Sequence, residues 1–216
     1  MHIPDGFLNA GTLAGTAVVS AGGIANAVRV VGKKFGEKQV PLMGILAAFV
    51  FAAQMLNFPI MGGTSGHFMG AALCAVLLGP WAAVIVFTLV LMAQCFIFQD
   101  GGMLALGANI FNMGIVGGLG SYAIYRLGLK VFGVSLRSKM AMGYIAAWFS
   151  VVLAATACAL ELAISGVSPL GGVLTAMVGV HAIIGLVEGA ITVAALVLIR
   201  STRADLLELQ ETEVCI

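Results

Sequence analysis

The chain begins with Met1-His2-Ile3-Pro4-Asp5-Gly6-Phe7, and the rest of the sequence is arranged to hold this segment inside a membrane protein. A free α-amino group followed directly by a histidine offers three nitrogen donors. They are the Met1 amine, the backbone nitrogen of His2 once it is deprotonated, and the His2 imidazole. These donors close small fused chelate rings around one cation and lie nearly in a plane. Planar nitrogen sets favour Ni(II) or Cu(II), with Co(II) as a competitor.

The simplest alternative is that His2 follows the initiating methionine by chance. Two observations favour metal binding. The chain has only three histidines in 216 residues, and in so apolar a protein each ionisable group is costly and is a functional candidate. A bulky second residue also protects Met1 from removal. His67 is the best candidate for a fourth nitrogen, the alternative being a hydrogen-bonded structural role.

The composition predicts an all-α integral membrane protein with a single domain, residues 1–216. Hydrophobic residues make up 61% of the chain and charged residues 9%, against about 25% charged in soluble proteins. Several apolar runs reach the roughly 20 residues that cross a bilayer. The net charge of +1 gives no reason to expect nucleic acid. The four cysteines, Cys215 among them, are scattered without a C-x-x-C pair, which argues against a disulfide framework or a thiolate site.

Seven transmembrane helices account for the sequence. We expect them at approximately 8–31, 41–57, 67–79, 81–98, 103–125, 140–164 and 173–199. His67 opens an unusually short third span, directly after the run Gly62-Gly63-Thr64-Ser65-Gly66. Short or glycine-interrupted spans are the best sequence indicator of the binding site in a transporter.

The basic residues predict the orientation. They follow the first span, lie between the fifth and sixth, and follow the seventh: Arg29, Lys33, Lys34, Lys38, Arg126, Lys130, Arg137, Lys139, Arg200 and Arg203. Positively charged loops stay in the cytoplasm, so the N-terminus is expected outside and the C-terminus in the cytoplasm. The stretch 67–98 must then cross twice, with its hairpin at Gly79-Pro80.

This topology places a set of polar residues at the outer face, where a site would capture a cation arriving from outside. Asp5, Ser65 and Asn109 are candidates to orient metal ligands through hydrogen bonds, although helix packing explains Asn109 and its neighbour Asn112 equally well. His181 shares a helix face with Glu188. Three roles are open for this pair: a structural hydrogen-bonding face, support of the metal ligands, or part of a pathway for the cation. The structural role is favoured.

The motifs separate three classes of function. A stand-alone secondary transporter or channel for divalent metal cations is the main alternative to a capture subunit, but it would need ionisable residues along a continuous path. A membrane metalloprotease is excluded because the chain has no H-E-x-x-H, and four protein nitrogens leave no position for water. The chain also has no G-x-x-x-x-G-K-[ST] phosphate loop, so any ATP hydrolysis must come from a partner.

The N-terminal MHIPDGFL resembles the CbiM/NikM substrate-binding subunits of energy-coupling factor (ECF) transporters for cobalt and nickel. Four further stretches are similar to that family: NFPI at 57–60, GTSGH at 63–67 leading to GPW at 79–81, QDGG at 99–102, and HAIIGLVEG at 181–189. The resemblance covers almost the whole chain. The N-terminal motif is highly specific, because the free α-amino group that would bind the metal exists only when the motif begins at residue 1.

The resemblance implies a ligand set and partners. Ni(II) or Co(II), as transported substrate, would be held by the Met1 amine, the His2 backbone nitrogen and imidazole, and the His67 imidazole. The protein would be the S-component of an importer in a prokaryotic cytoplasmic membrane, not an enzyme. It would work with a membrane scaffold subunit and cytoplasmic ATPase subunits, any small accessory membrane subunit being encoded separately. Nickel and cobalt are not distinguished by this ligand set.

Overall fold

Helices account for most of the chain, because inside a bilayer every backbone N–H and C=O must be paired within the protein. The computed structural model describes residues 1–36, 39–60 and 64–208. Four residues named above, Lys38, Gly62, Gly63 and Cys215, lie outside the described residues.

The described elements follow one another with short connections. In chain order they are α1 (Ala10–Lys34), α2 (Gln39–Gln54), β1 (Phe58–Ile60), β2 (Thr64–Gly66), α3 (Ala71–Leu78), α4 (Pro80–Phe98), α5 (Leu106–Ile110), a π-helical stretch (Phe111–Leu119), α6 (Gly120–Phe132), α7 (Leu136–Ile164), α8 (Leu170–Thr202) and α9 (Asp205–Glu208). Because α5, the π-helical stretch and α6 adjoin, they form one continuous helix over residues 106–132. The strands β1 and β2 pair antiparallel, with Phe58 opposite Gly66 and Ile60 opposite Thr64.

The helices have the length and surface of membrane spans. Among the described helices, α1, α4, α7 and α8 are long and apolar enough to cross a membrane, and α2 is a shorter apolar helix. Large apolar side chains such as Ile97, Leu127 and Ile183 are 71%, 63% and 68% exposed, which suits contact with lipid rather than water. The protein is therefore a multi-pass membrane protein. The count of seven spans and the direction of the termini stay predictions.

The helix pair α7 and α8 packs through small residues. A Cβ at Gly185 would lie 2.7 Å from the Trp148 ring, and one at Gly189 would lie 2.7 Å from the Tyr144 ring, so only glycine allows this approach. The Trp148 indole N–H donates to the backbone oxygen of Ala182 at 3.0 Å. Small residues of this kind are the usual means of bringing helices together in lipid.

The helix bounds differ by a few residues from the sequence expectation, and two of these differences change the position of named residues. Gly70 has φ +80°, a left-handed conformation that a helix interior does not accommodate, so α3 begins at Ala71 and His67 lies in the connection before it. The helix expected to end near residue 125 continues to Phe132. Arg126 and Lys130 therefore lie on the last turns of a helix, where long basic side chains extend along the helix to reach polar surroundings.

Candidate metal site

The first three residues of the chain are buried inside the helical bundle. Met1 and Ile3 are 0% exposed and His2 is 3% exposed. Chain termini are usually poorly ordered unless specific contacts hold them. The burial of the Met1 α-amino group is therefore the central feature of this site. In its neutral form this amine has N–H groups that donate hydrogen bonds and a lone pair that can bind a cation.

Asn109 on α5 fixes the segment by pairing with the backbone of Ile3. The Ile3 N–H donates to Asn109 Oδ1 at 2.8 Å, and Asn109 Nδ2 donates to the Ile3 carbonyl at 3.1 Å. The same carbonyl accepts from the backbone N–H of Gly102 at 2.9 Å. Both backbone groups of Ile3 are thus satisfied, and the position of the two preceding residues follows from this pairing.

Asp5 anchors the other end of the segment. Its carboxylate accepts hydrogen bonds from the backbone N–H groups of Met103, Leu104 and Ala105, at 3.0, 2.8 and 3.2 Å. These residues precede α5, so Asp5 caps a helix that lies about a hundred positions later in the chain. A Cβ at Gly102 would overlap the Asp5 carboxylate, which explains why glycine occupies that position.

The Met1 amine meets His67 at the centre of the site. The amine nitrogen lies 3.0 Å from His67 Nε2 and also donates to the backbone carbonyl of Ser65. His67 Nδ1 lies 2.7 Å from the Phe68 carbonyl oxygen, which can only accept, so the proton is on Nδ1. The lone pair of Nε2 is therefore directed at the amine, as a metal ligand requires.

The orientation of the His2 ring is set in the same way. His2 Nε2 donates to Gln94 Oε1 at 3.0 Å, which leaves the lone pair on Nδ1. Nδ1 is the ring nitrogen that closes a chelate ring with the backbone nitrogen of its own residue. The His2 and His67 rings lie side by side with centroids 4.7 Å apart. Both imidazoles thus present an unprotonated nitrogen toward the N-terminus.

Three of the four nitrogens lie near one hydroxyl oxygen, and the fourth, His67 Nε2, lies beside the Met1 amine. Ser65 Oγ lies 3.0 Å from the Met1 amine and 3.3 Å from both the backbone nitrogen and Nδ1 of His2. The 3.0 Å between the Met1 amine and His67 Nε2 matches the separation of about 2.9 Å expected for adjacent corners of a square whose centre is about 2.0–2.1 Å from each nitrogen. The arrangement suits a divalent cation with planar nitrogen ligation.

Burial keeps the amine and the two imidazoles uncharged, so that each has a lone pair available. Desolvation lowers the pKa of the Met1 amine to about 5. Desolvation, together with the nearby amine, lowers the pKa of His2 to about 3, and the same causes hold the pKa of His67 well below its ordinary value. At neutral pH all three groups are therefore uncharged and carry the lone pairs that a cation needs.

Only two of the four nitrogens belong to side chains. Within the described ranges, no three His, Cys, Asp or Glu side chains come together to hold a metal ion. A metal site here would therefore depend on the amine and the amide of the first two residues.

The other candidate residues divide into two groups. Asp5 and Asn109 fix the backbone of the N-terminal segment, and Ser65 contacts the donor atoms themselves, so these three lie at the site. His181 does not hydrogen bond to any of the four nitrogens: its Nδ1 donates to the Met177 carbonyl at 2.7 Å and its buried Nε2 has no hydrogen-bond partner in the described structure. Asn112 bonds to Glu161 at 2.7 Å, which is a packing role.

Gln94, which orients His2, was not among the predicted site residues. Gln94 lies on α4 and is 0% exposed. The sequence did indicate that Gln94 has a partner, because an amide in the middle of an apolar span needs a buried hydrogen-bond partner. It did not indicate which residue that partner is, since this depends on how residue 2 packs against residue 94.

Comparison with known proteins gives a consistent result. A family model described as the cobalt uptake substrate-specific transmembrane region, CbiM, matches residues 2–206. The chain is 32% identical, over 96% of its length, to the cobalt transport protein CbiM of Sorangium cellulosum, of which it covers 95%. It is 38% identical, over 79% of its length, to the fused nickel transport protein NikMN of Rhodobacter capsulatus, of which it covers 48%.

A solved structure has the same fold. The crystal structure of a transition metal transporter superposes with a TM-score of 0.86 at 37% identity, and the match covers 93% of each chain. The two proteins are therefore similar in sequence as well as in fold.

The two hydrogen bonds from Asn109 to Ile3 generate a testable prediction. We expect Asn109→Ala to release the N-terminal segment, since two buried hydrogen bonds contribute about 2 kcal/mol together. Amide exchange in the peptide covering residues 1–7 should accelerate about 10- to 30-fold, measured by mass spectrometry in detergent. Asn112→Ala, one helical turn away and bonded to Glu161 instead, is the control. Equal acceleration in both variants would mean that Asn109 acts on general stability and not on this segment.

Proposed function

We propose that this chain, which belongs to the CbiM family of cobalt uptake substrate-specific transmembrane regions, is the metal-capture subunit of an ATP-driven ECF importer. It is a component of cobalt and nickel transport and not an enzyme. One observation supports the finer proposal: at the buried N-terminus the Met1 amine and both His2 donors lie within 3.3 Å of Ser65 Oγ, and the amine lies 3.0 Å from His67 Nε2.

In the proposed capture step, Ni(II) or Co(II) exchanges its water ligands for these four nitrogens. The Met1 amine and the two imidazoles bind through lone pairs that burial has already freed of protons. The backbone N–H of His2 gives up its proton to solvent as the cation binds, and the amide nitrogen becomes the fourth ligand. The Met1 amine retains two hydrogens and continues to donate to the Ser65 carbonyl.

Asp100 fits a role in attracting the cation. A divalent ion with one deprotonated amide keeps a positive charge, and Asp100 Oδ1 lies 3.5 Å from His2 Nδ1. The Asp100 side chain is 20% exposed and is also held by Asn57 Nδ2 at 3.1 Å. A partly exposed carboxylate beside a buried nitrogen cluster gives an incoming cation favourable charge on its way from water to the site.

The proposed orientation follows the charge distribution. We propose seven crossings, with the N-terminus outside and the C-terminus in the cytoplasm, because the basic residues cluster after the first, fifth and seventh spans. The metal site then opens toward the outer face. Such a subunit would act with a membrane scaffold subunit, a small accessory membrane subunit and cytoplasmic ATPase subunits. We expect the ATPase activity in a partner because this sequence has no phosphate-binding loop.

Planar nitrogen ligation favours Ni(II) over Co(II), while Cu(II) would bind still more tightly by the intrinsic order of affinities. Because this order puts Cu(II) first, the ligand set alone does not decide which metal is carried, and selectivity must also depend on the rigidity of the cavity or on which metal the cell supplies. Ser65 supports the rigid option, since its hydroxyl and carbonyl both contact the amine.

A chain extended before Met1 tests the amine as ligand. We expect acetylation of the Met1 amine, or one added N-terminal glycine whose own amine is acetylated, to weaken Ni(II) binding by at least about a thousandfold, because the chelate loses its terminal amine and the buried space cannot take an extra residue. Affinity is measured by competition with a chelator of known strength, using protein with its native N-terminus. The same glycine added after Ile216 is the control. Unchanged affinity in the extended protein would exclude the amine.

The pH dependence tests the backbone amide. Above about pH 6 the amine and imidazoles are already neutral, because burial lowers the pKa of the amine to about 5, that of His2 to about 3 and that of His67 well below its ordinary value. Only the amide proton is then lost on binding. The apparent association constant should then rise by about one log unit per pH unit between about pH 6 and pH 8. Below about pH 5 the amine binds a proton as well, and the slope becomes steeper. A flat profile from pH 6 to pH 8 would contradict amide ligation.

Uptake measurements distinguish the proposed importer from a stand-alone transporter. Cells that express this chain together with scaffold and ATPase subunits should accumulate radioactive nickel or cobalt. We expect accumulation to fall to background when the ATPase subunits carry an inactivating substitution. Equal accumulation by cells that express this chain alone would instead establish a secondary transporter or channel.

A further inference from the structure

Glu188 on α8 is hydrogen-bonded to the segment that carries His67. Glu188 Oε2 accepts from the backbone N–H of Met69 at 2.8 Å, and Oε1 accepts from that of Gly70 at 2.6 Å. Glu188 is 0% exposed. Both hydrogen bonds that it accepts within the described structure come from these two consecutive residues, which lie two and three positions after His67.

A single peptide group connects Glu188 to His67. The carbonyl of Phe68 and the N–H of Met69 belong to the same planar peptide unit. His67 Nδ1 donates to that carbonyl at 2.7 Å, and Glu188 accepts from that N–H at 2.8 Å. The peptide plane is thus held at both ends, by the carboxyl group on one side and by the imidazole on the other. A rotation of this plane would break one hydrogen bond or turn the His67 ring.

The segment depends on this contact for its position. The strand β2 ends at Gly66 and α3 begins at Ala71, so residues 67–70 belong to no regular element. Gly70 has a left-handed conformation, with φ +80°. The helix α8 also contacts β2, where Thr64 Oγ1 donates to Met177 Sδ at 3.0 Å. The helix therefore holds the chain on both sides of His67.

A carboxyl group buried at membrane depth is costly and is retained where it has a specific task. Two charge-assisted hydrogen bonds to consecutive amides offset this cost. They also polarise the peptide, which makes the Phe68 carbonyl a better acceptor and the His67 imidazole a better electron donor. In metal sites a carboxylate often contacts a ligating histidine directly, whereas here a peptide group stands between them.

We propose that Glu188 is a positioning residue for the metal ligand His67, acting through the Phe68–Met69 peptide group. This proposal rests on the proposed function, since it requires His67 to bind the metal. Glu188 orients the imidazole so that Nε2 points at the Met1 amine and completes the nitrogen plane. The helix α8 is thereby coupled to the metal site, although none of its side chains contacts the four nitrogens through a hydrogen bond.

A double-mutant cycle tests the proposal. Glu188→Gln keeps the size of the side chain but sets an amide NH2 against a backbone N–H, so one hydrogen bond is lost. We expect it to weaken Ni(II) binding by about 10- to 100-fold. In the His67→Ala background the same substitution should have no further effect, because Glu188 acts only through His67. The visible absorption spectrum of the nickel complex should shift in Glu188→Gln toward that of His67→Ala.

Glu161→Gln is the matched control. It makes the same chemical change at a second buried carboxyl group, whose hydrogen bond runs to Asn112 and not to the ligand segment. Nickel affinity and spectrum should remain those of the wild type. Glu188→Asp keeps both oxygens on a shorter side chain and serves as a second variant, for which we expect a smaller loss of affinity and the same absence of effect in the His67→Ala background.

The outcomes separate the two proposals. Wild-type affinity in both Glu188 variants, with weakened binding in His67→Ala, would overturn the role of Glu188 and leave the proposed function standing. Additive losses in the double variant would also overturn it, because Glu188 would then act on the fold in general. Unaltered nickel binding in His67→Ala would remove His67 from the ligand set, and both proposals would fall together.

Discussion

Desolvation of the N-terminal amine is the constraint on which the rest of the structure depends. An α-amino group is normally charged at neutral pH and lies in water, and a charged one cannot be buried in a helical bundle without a large penalty. The protein resolves this by burying the amine in its neutral form, with a pKa of about 5. The contacts of residues 1–7 with β2, α4 and α5 hold it there. Burial therefore produces both the position and the chemical state of the donor.

In the proposed metal site, two of the four donors would come from the backbone rather than from side chains. Backbone groups also take part in the contacts that orient the site: they are the Ser65 and Phe68 carbonyls and the amides that Asp5 and Glu188 bind. Backbone groups occur at every residue and must be satisfied in any case within a bilayer. Using them as ligands and supports adds little polar cost to the membrane core.

The sequence predicted the class of protein and named several residues that the structure places beside residue 1, but it did not predict the contacts that connect them. Composition and the N-terminal motif predicted a multi-pass membrane protein of the CbiM family, and both predictions are confirmed. His67, Ser65 and Asn109 were predicted near residue 1, and the structure brings them there. Gln94 and the role of Glu188 were not predictable, because a polar residue in an apolar span signals that a partner exists without saying which one. The π-helical stretch and the start of α3 also depend on tertiary packing rather than on apolar periodicity.

The contacts that make the site join residues far apart in the chain: 1 with 67, 2 with 94, 3 with 109 and 69 with 188. A short peptide with the same first two residues would have the same three chelating nitrogens. Its amine, however, would be protonated at neutral pH, and the proton would compete with the metal for the lone pair. In the folded protein the cost of removing that proton is met by folding, before the cation arrives. In the proposed site, the helical bundle would thus contribute to metal affinity without supplying most of the ligands, because it keeps the terminus neutral, buried and directed at His67.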